Sequence, residues 1–148
     1  MEAVIFCGIQ AAGKTTFYKE YFLKTHVRLS LDLLKTRHRE RRFLEVCIQT
    51  QQSFVVDNTN PGKADRKKYI LDAKANGFTI IGYYFQSKIS DSIQRNSQRQ
   101  VKENIPIAGI KGTFSRLEIP ELTEGFDKLY YVEITDGKFL IKEWANEI

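Results

Sequence analysis

A stretch of eight residues, from Gly8 to Thr15, constrains this chain more than any other part of it. It reads Gly-Ile-Gln-Ala-Ala-Gly-Lys-Thr, which matches the phosphate-loop pattern of a glycine, four residues and then Gly-Lys-Ser/Thr. The glycines let successive backbone N–H groups point inward at phosphate oxygens. Lys14 can reach the β- and γ-phosphates of a nucleotide, and the Thr15 hydroxyl can ligate Mg²⁺. The predicted nucleotide contacts are Gly8, Ile9, Gln10, Ala11, Ala12, Gly13, Lys14, Thr15 and Thr16.

The residues on either side of this loop favour the same interpretation. Residues 3–7 form a short apolar run typical of a buried strand, and residues 16–23 are typical of a helix. A phosphate loop needs this setting, because the helix that follows directs its positive N-terminal end at the phosphates. The alternative, a glycine turn that binds nothing, does not require it. The sequence therefore predicts a nucleotide-binding site.

Length, charge and cysteine content narrow the class of protein. At 148 residues the chain is most simply a single domain over 1–148, without room for a second one. It has no apolar run near the roughly 20 residues of a membrane span and no signal-peptide pattern. Two cysteines without metal-type spacing indicate a reducing, cytoplasmic setting. A net charge of +5 favours anionic partners such as nucleic acid, although a solvated basic face gives the same count.

The order of patterns along the chain predicts an α/β fold. Five further strands are expected over 26–31, 53–57, 78–85, 129–134 and 138–141. Helices are expected over 33–52, 61–75, 88–103 and 106–120, with Asn60 capping the second of them. Alternating strands and helices indicate a central, mostly parallel sheet with helices on both faces, and Asp136-Gly137 predicts a hairpin to an antiparallel last strand. The expected architecture is a three-layer αβα sandwich.

Two carboxylates follow apolar strands and are candidates for chemistry. Asp57 stands where a Walker-B carboxylate is expected to hold Mg²⁺, and its alternative role is a helix cap or loop former. Asp32 can orient an attacking hydroxyl and accept its proton, and its alternative role is an N-cap. The carboxyl ends of parallel strands meet at one sheet edge, so both side chains should lie near the phosphate loop.

Two arginines four residues apart, Arg95 and Arg99, share a face of the polar helix over 88–103. We expect residues 88–117 to form a lid that brings these guanidinium groups to the transferring phosphate and excludes water. Solvent-facing arginines are the alternative. A basic segment over 35–42 is a second feature with two interpretations, a solvated helix face or a contact for an anionic ligand.

Several of these motifs occur in an order that resembles the kinase domain of polynucleotide 5′-hydroxyl kinases, a P-loop kinase fold with a helical lid. Besides the phosphate loop they are Ser30-Leu31-Asp32, Asp57-Asn58-Thr59-Asn60-Pro61, Arg95-Asn96-Ser97-Gln98-Arg99 and Ile105-Pro106-Ile107. Glu124-Gly125-Phe126 is also similar to the animal end-processing enzymes, and the resemblance covers about residues 3–134.

The resemblance implies roles for individual residues. Lys14 and Thr15 match the pair that binds ATP and Mg²⁺, and Asp32 matches the general base that activates the 5′-hydroxyl. Arg99 matches the lid arginine, with Arg95 beside it. The implied substrate contacts are Asp32, Thr59 and Arg66.

The chain departs from the family at one point near the base. Family members often have Asn-Arg-Asp where this chain has Ser30-Leu31-Asp32, and Arg28 or Arg37 is a candidate substitute for the arginine. The expected activity is transfer of the γ-phosphate of ATP to a 5′-hydroxyl end of DNA or RNA. The alternatives are transfer to a small-molecule hydroxyl, such as that of a nucleoside, sugar or antibiotic, and ATP binding without catalysis.

Overall fold

The computed structural model describes residues 1–99 and 104–144, and it confirms the predicted α/β class. The strands are β1 (Glu2–Cys7), β2 (Val27–Leu29), β3 (Phe54–Val56), β4 (Thr79–Phe85), β5 (Lys128–Thr135) and β6 (Lys138–Glu143). The helices are α1 (Lys14–Tyr21), α2 (Leu31–Leu34), α3 (Arg37–Gln49), α4 (Lys63–Ala75), α5 (Ile89–Ser97) and α6 (Ile107–Ser115). A 3₁₀ turn covers Leu122–Glu124. Within the described ranges, no helix is both long enough and apolar enough to pass through a bilayer.

The six strands form one sheet in the order β2-β3-β1-β4-β5-β6. The first five in this order run parallel, and β6 pairs antiparallel with β5 through the predicted turn at Asp136 and Gly137, both with positive φ. β1 lies at the centre, between β3 and β4. The loop after β1 is therefore at the middle of the carboxyl edge, where ligands bind in open parallel sheets.

Two apolar cores, one on each face of the sheet, make the three layers. On one face α3 and α4 pack through Leu44, Cys47, Tyr69, Ile70 and Ala73. On the other face α1 packs through Phe17 and Tyr18 against strand residues that include Phe6 and Phe85. Alternate residues of β1 belong to opposite cores, as the two-residue period of a strand requires. The sheet is thus buried on both sides and holds the loops at its edge in place.

The single helix expected over 33–52 is instead two helices, α2 and α3. Lys35 has φ +74° between them, a conformation that a lysine rarely adopts. Side-chain caps make the interruption possible, because the hydroxyl of Ser30 accepts from Asp32 N at 3.3 Å and that of Thr36 accepts from Arg39 N at 3.1 Å. Asp32 consequently lies in the first turn of α2, after a strand that ends earlier than predicted.

The helix expected from Pro61 begins two residues later, at Lys63, and Asn60 does not cap it. Asp65 Oδ2 instead accepts a hydrogen bond from Gly62 N at 2.9 Å, which gives the backbone N–H at the start of the helix a partner. Asn60 is buried with φ +43°, and its Nδ2 donates to the Phe6 carbonyl at 2.8 Å. Its amide therefore ties the loop after β3 to the end of β1. The helix expected over 88–103 ends at Ser97 in the structure, and residues 100–103 lie outside the described part.

Candidate active site

A cavity of about 310 Å³ lies at the carboxyl edge of the sheet, where the predicted site residues meet. It is bordered by the phosphate loop, the start of α1, α2 and the loop after β3, together with Arg99 and Ile105. The predicted residues that line it are Gln10, Ala11, Gly13, Lys14, Thr15, Thr16, Asp32, Asp57, Thr59 and Arg99. The other predicted loop residues, Gly8, Ile9 and Ala12, are buried behind this surface.

The phosphate loop is held in shape by close packing behind it. Gly13 has φ +95° and precedes α1, and a Cβ there would lie 3.0 Å from Ile134 Cδ1 and 3.1 Å from Phe139 Cε1. Only glycine fits both the conformation and the space. At the other end of the loop, Gly8 N donates to the Thr59 carbonyl at 3.0 Å, which joins the loop to the segment after β3. The loop backbone is therefore preformed.

The Lys14 side chain folds back onto this loop. Its Nζ donates to the carbonyl oxygens of Gly8 and Ile9 at 3.0 and 2.7 Å, and the residue is buried. Burial lowers the pKa of Lys14 to about 8, while the negative charge of Asp57 opposes this shift and the positive charge of Arg99 adds to it. An anionic ligand in the cavity would favour the charged form, so the site is suited to phosphate.

Thr15 and Asp57 form a pair of oxygen ligands beside the lysine. Thr15 Oγ1 donates to Asp57 Oδ2 at 2.9 Å, and the Asp57 side chain is almost fully buried. A hydroxyl, a carboxylate and nucleotide phosphates are the oxygen donors that Mg²⁺ takes in nucleotide sites. No group of three or more His, Cys, Asp or Glu residues able to hold a metal ion occurs in residues 1–99 and 104–144. The pair is therefore of the kind that would hold Mg²⁺ together with phosphate oxygens and water.

Arg28 contacts both members of this pair, a position that the sequence did not indicate. Its Nε donates to Asp57 Oδ2 at 2.8 Å and its Nη2 lies 3.4 Å from Thr15 Oγ1. Arg28 is expected from the sequence as a neighbour of Asp32, but its side chain extends from β2 across to Asp57 at the end of β3. The sign of this role in the sequence is a charged residue within the apolar run that forms β2. Arg28 orients Asp57 and balances its buried charge.

Replacing Arg28 with glutamine tests this role. We expect the free energy of unfolding without Mg²⁺ to fall by about 2 kcal/mol, because the buried Asp57 carboxylate loses a charged hydrogen-bond donor. Urea denaturation measures the loss. Arg42→Gln is a matched control, since the Arg42–Glu45 pair at 3.1 Å is exposed and is expected to contribute less than about 1 kcal/mol. Equal losses in the two variants would contradict a structural role for the Arg28–Asp57 contact.

Asp32 is exposed at the edge of the cavity and stands on a helix that the loop after β3 holds in place. Leu31 N donates to Asn58 Oδ1 at 2.9 Å, and Asn58 Nδ2 donates to Glu40 Oε2 at 2.7 Å. Glu40 is buried and also accepts from Tyr69 OH at 2.7 Å. The sequence does not distinguish Glu40, because it lies in a run of charged residues that is typical of a solvated helix face. These hydrogen bonds hold α2, and with it Asp32, in place against α3 and the loop after β3.

The helices α5 and α6 both contact the phosphate loop. Arg95 Nη1 donates to the Ala11 carbonyl at 3.2 Å, and Gln10 Nε2 donates to Thr113 Oγ1 at 2.8 Å. The two helices are joined by Asn96, whose side chain bonds both the N–H and the carbonyl of Ile105 at 2.8 and 2.6 Å. Arg95 therefore lies on the loop. Arg99 lines the cavity but follows the end of α5 at Ser97, so the expectation that the two arginines share a helix face is wrong.

Arg66 does not reach the cavity, and the expectation that it contacts substrate is corrected on this point. It is fully buried, with Nε and Nη2 donating to the Glu124 carboxylate at 2.8 and 3.0 Å. Its Nη1 donates to the carbonyls of Asn60 and Pro61 at 2.9 and 3.1 Å. Through these contacts the guanidinium joins α4, the loop after β3 and the 3₁₀ turn, and it does not line the cavity. Thr59, the other implied contact, does line the cavity.

Two curated proteins are similar to this chain in sequence. It is 27% identical over 129 residues to a bifunctional polynucleotide phosphatase/kinase of Schizosaccharomyces pombe, covering 84% of this chain and 32% of that protein. It is 32% identical over 149 aligned positions to a protein of Acanthamoeba polyphaga mimivirus whose name assigns it to the same class, covering 96% and 35%. The chain thus spans about a third of the length of these relatives. No protein-family model matches it.

Solved structures share the fold at low sequence identity. A gluconokinase from Sinorhizobium meliloti 1021 has a TM-score of 0.62 at 15% identity, covering 89% of this chain and 82% of that one. Chaetomium thermophilum Kti12 in complex with ADP-AlF3 has a TM-score of 0.66 at 14% identity, covering 88% of each. AvrRxo1-ORF1:-ORF2 with ATP has 0.70 at 16%, covering 95% and 57%. The P-loop kinase fold and the resemblance to polynucleotide kinases are confirmed.

Proposed function

We propose that this chain is an ATP-dependent phosphotransferase that moves the γ-phosphate of ATP to a 5′-hydroxyl end of DNA or RNA. The observation that carries the proposal is the position of Asp32, which is exposed on the same cavity that Lys14, Thr15 and Asp57 line. A donor site and a carboxylate able to accept a proton thus open into one space. Similarity to two proteins named as polynucleotide phosphatase/kinases supports the class of acceptor.

The donor half binds and orients the nucleotide. Inward-facing N–H groups of the loop and the Lys14 ammonium bind the β- and γ-phosphate oxygens. Thr15 and Asp57 would hold Mg²⁺, which neutralises charge on the β- and γ-phosphates when it is bound. Lys14 then exchanges its two loop carbonyl partners for phosphate oxygens, which are stronger acceptors because they are charged.

The acceptor half activates the hydroxyl. Asp32 accepts the hydroxyl proton while that oxygen bonds to the γ-phosphorus, and the bond from this phosphorus to the bridging oxygen of ADP breaks. Arg99, with Arg95 beside it, stabilises the charge on the moving phosphoryl group. In this proposal the segment over 88–117 closes as a lid, since α5 and α6 already contact the phosphate loop.

A panel of acceptors tests the proposed activity. The protein is incubated with Mg²⁺ and ATP labelled at the γ-phosphate, together with DNA and RNA oligonucleotides that carry a 5′-hydroxyl, and with nucleosides and sugars. We expect label on the oligonucleotides and none on matched oligonucleotides that already carry a 5′-phosphate. Label on the small molecules alone would exclude the polynucleotide acceptor and retain the phosphotransferase.

The pKa of Lys14 predicts how ATP binding depends on pH. ATP binds the protonated amine, and in the ligand-free protein that proton is lost as the pH rises through about 8. Binding above this pH requires proton uptake, so the ATP affinity should fall by up to about tenfold for each pH unit. Titrations with ATP from pH 6.5 to 9.5 measure the effect. Lys14→Arg, which stays charged, should lack this transition, and a flat profile for the unmodified protein would contradict the assignment.

A further inference from the structure

Arg28 contacts the Thr15–Asp57 pair from outside the cavity. Thr15 and Asp57 both line the cavity, whereas Arg28 does not, and its side chain reaches them from β2. A nucleotide that enters the cavity therefore does not have to displace the guanidinium. Arg28 is a fixed positive charge beside the two oxygen ligands, whether or not a nucleotide is bound.

The negative charge of Asp57 is already engaged within the protein. Its Oδ2 accepts from Thr15 Oγ1 at 2.9 Å and from Arg28 Nε at 2.8 Å. The Asp57 side chain is 2% exposed, so little water screens the carboxylate from the guanidinium. Arg28 thus offsets much of the attraction that this carboxylate would exert on a metal ion.

Lys14 adds a second positive charge near the same carboxylate. It is buried, and among the charges that act on its pKa the effect of Asp57 is the largest. One carboxylate therefore interacts with two cations, Lys14 on the cavity side and Arg28 outside the cavity. Such a pair of oxygen ligands carries no excess of negative charge for a free divalent cation.

Four more charged residues line the cavity: Asp32, Arg37, Asp65 and Arg99. Arg99 and Asp32 act on the pKa of the buried lysine in opposite directions, and the effect of Arg99 is the larger. Arg37 is ion-paired with Glu40 at 3.1 Å. Asp65 accepts a hydrogen bond from the backbone N–H at the start of α4. None of them supplies the negative charge that the pair lacks.

Taking Thr15 and Asp57 to hold Mg²⁺, as proposed above, we propose that Arg28 makes metal binding at this pair depend on the nucleotide. Without a nucleotide, the Asp57 carboxylate is offset by Arg28, and the Lys14 ammonium repels a divalent cation. The β- and γ-phosphates of ATP supply the missing negative charge. Arg28 therefore keeps the pair from binding the free ion and reserves it for an ion that phosphates also hold.

A metal titration of the nucleotide-free protein tests the role of Arg28. The probe is Mn²⁺, which favours the same oxygen ligands as Mg²⁺, and electron paramagnetic resonance measures the unbound ion. For the unmodified protein we expect a Kd of about 1 mM or weaker, since the site has little ligand charge. R28Q should bind at least about tenfold more tightly, because a nearby positive charge is lost while Thr15 still donates to Asp57.

Three further variants separate charge from other causes. R28K keeps the positive charge and should bind Mn²⁺ as weakly as the unmodified protein. R42Q removes an exposed cation of α3 and should change the Kd less than about twofold. R28Q/D57N should lose the affinity that R28Q gains, which would locate the ion at Asp57. Unchanged or weaker binding in R28Q would overturn the inference.

Two measurements keep this inference separate from the proposed function. Added Mg²⁺ should raise the free energy of unfolding of R28Q but not that of the unmodified protein, and no phosphate transfer is needed to observe this. Tight Mn²⁺ binding by the nucleotide-free unmodified protein, with a Kd below about 0.1 mM, would overturn the inference without any variant. A protein that labels no acceptor would overturn the proposed function, and the metal titration would still decide the role of Arg28.

Discussion

Asp32→Asn is expected to lower turnover by about 10²–10⁴-fold, the range for removal of a general base, with ATP affinity almost unchanged. The asparagine keeps the shape of the side chain but does not accept a proton. Because Asp32 is exposed and lies in the first turn of a capped helix, the substitution leaves the cavity and the phosphate loop intact. Turnover with a saturating oligonucleotide and a separate ATP titration measure the two effects.

Asp136→Asn serves as the matched control for this substitution. Asp136 is an exposed turn residue with φ +53°, a conformation that asparagine also adopts, and it does not line the cavity. Its turnover should equal that of the unmodified protein. If Asp32→Asn also transfers phosphate at the normal rate, another group accepts the proton and the assignment of the base is wrong.

Arg66→Met is expected to lower the free energy of unfolding by about 3–5 kcal/mol, the range for breaking a buried ion pair. The substitution leaves the Glu124 carboxylate without its two charged donors, at 2.8 and 3.0 Å, and two loop carbonyls without a partner. Urea denaturation followed by circular dichroism measures the loss. A variant that unfolds at room temperature is itself a result in the expected direction.

Two further variants identify the cause of that loss. Arg66→Met combined with Glu124→Leu removes both charges, and it should recover much of the stability because replacing a whole buried pair is far less costly than breaking it. Lys63→Met breaks the exposed Lys63–Glu121 pair, at 3.3 Å, and should cost less than about 1 kcal/mol. A stable Arg66→Met protein with a raised KM for the acceptor would instead indicate that Arg66 contacts the substrate.

The parts of the site that sequence could predict are those whose chemistry is contiguous in the chain. The loop from Gly8 to Thr15 contains its own turn, cation and hydroxyl, so eight residues suffice to indicate phosphate binding. Asp57 could be predicted as a site residue because it ends an apolar run, and the ends of parallel strands meet at one edge of the sheet. The predicted sheet, with its antiparallel last strand, rested on the same kind of local pattern.

The parts that sequence could not predict depend on partners far along the chain. Whether Arg66 faces solvent or the interior is decided by Glu124, 58 positions away. Arg28 reaches Thr15 and Asp57 only because β2 lies beside β3. The break between α2 and α3 at Lys35 contains no glycine or proline that would predict it. The caps at Ser30 and Thr36 offset the strain of the positive φ, so a lysine is accommodated there.

The Asn58 side chain joins three elements on the side of the site where the proposed acceptor would bind. One planar amide accepts from Leu31 N and donates to Glu40, so α2, α3 and the loop after β3 shift together or not at all. On the opposite side, α5 meets the phosphate loop through the bond from Arg95 to the Ala11 carbonyl at 3.2 Å, and α6 meets it through the bond from Gln10 to Thr113 at 2.8 Å. We therefore expect an acceptor to meet α2, α3 and the loop after β3 as one unit, whereas movement of α5 or α6 would act directly on the phosphate loop.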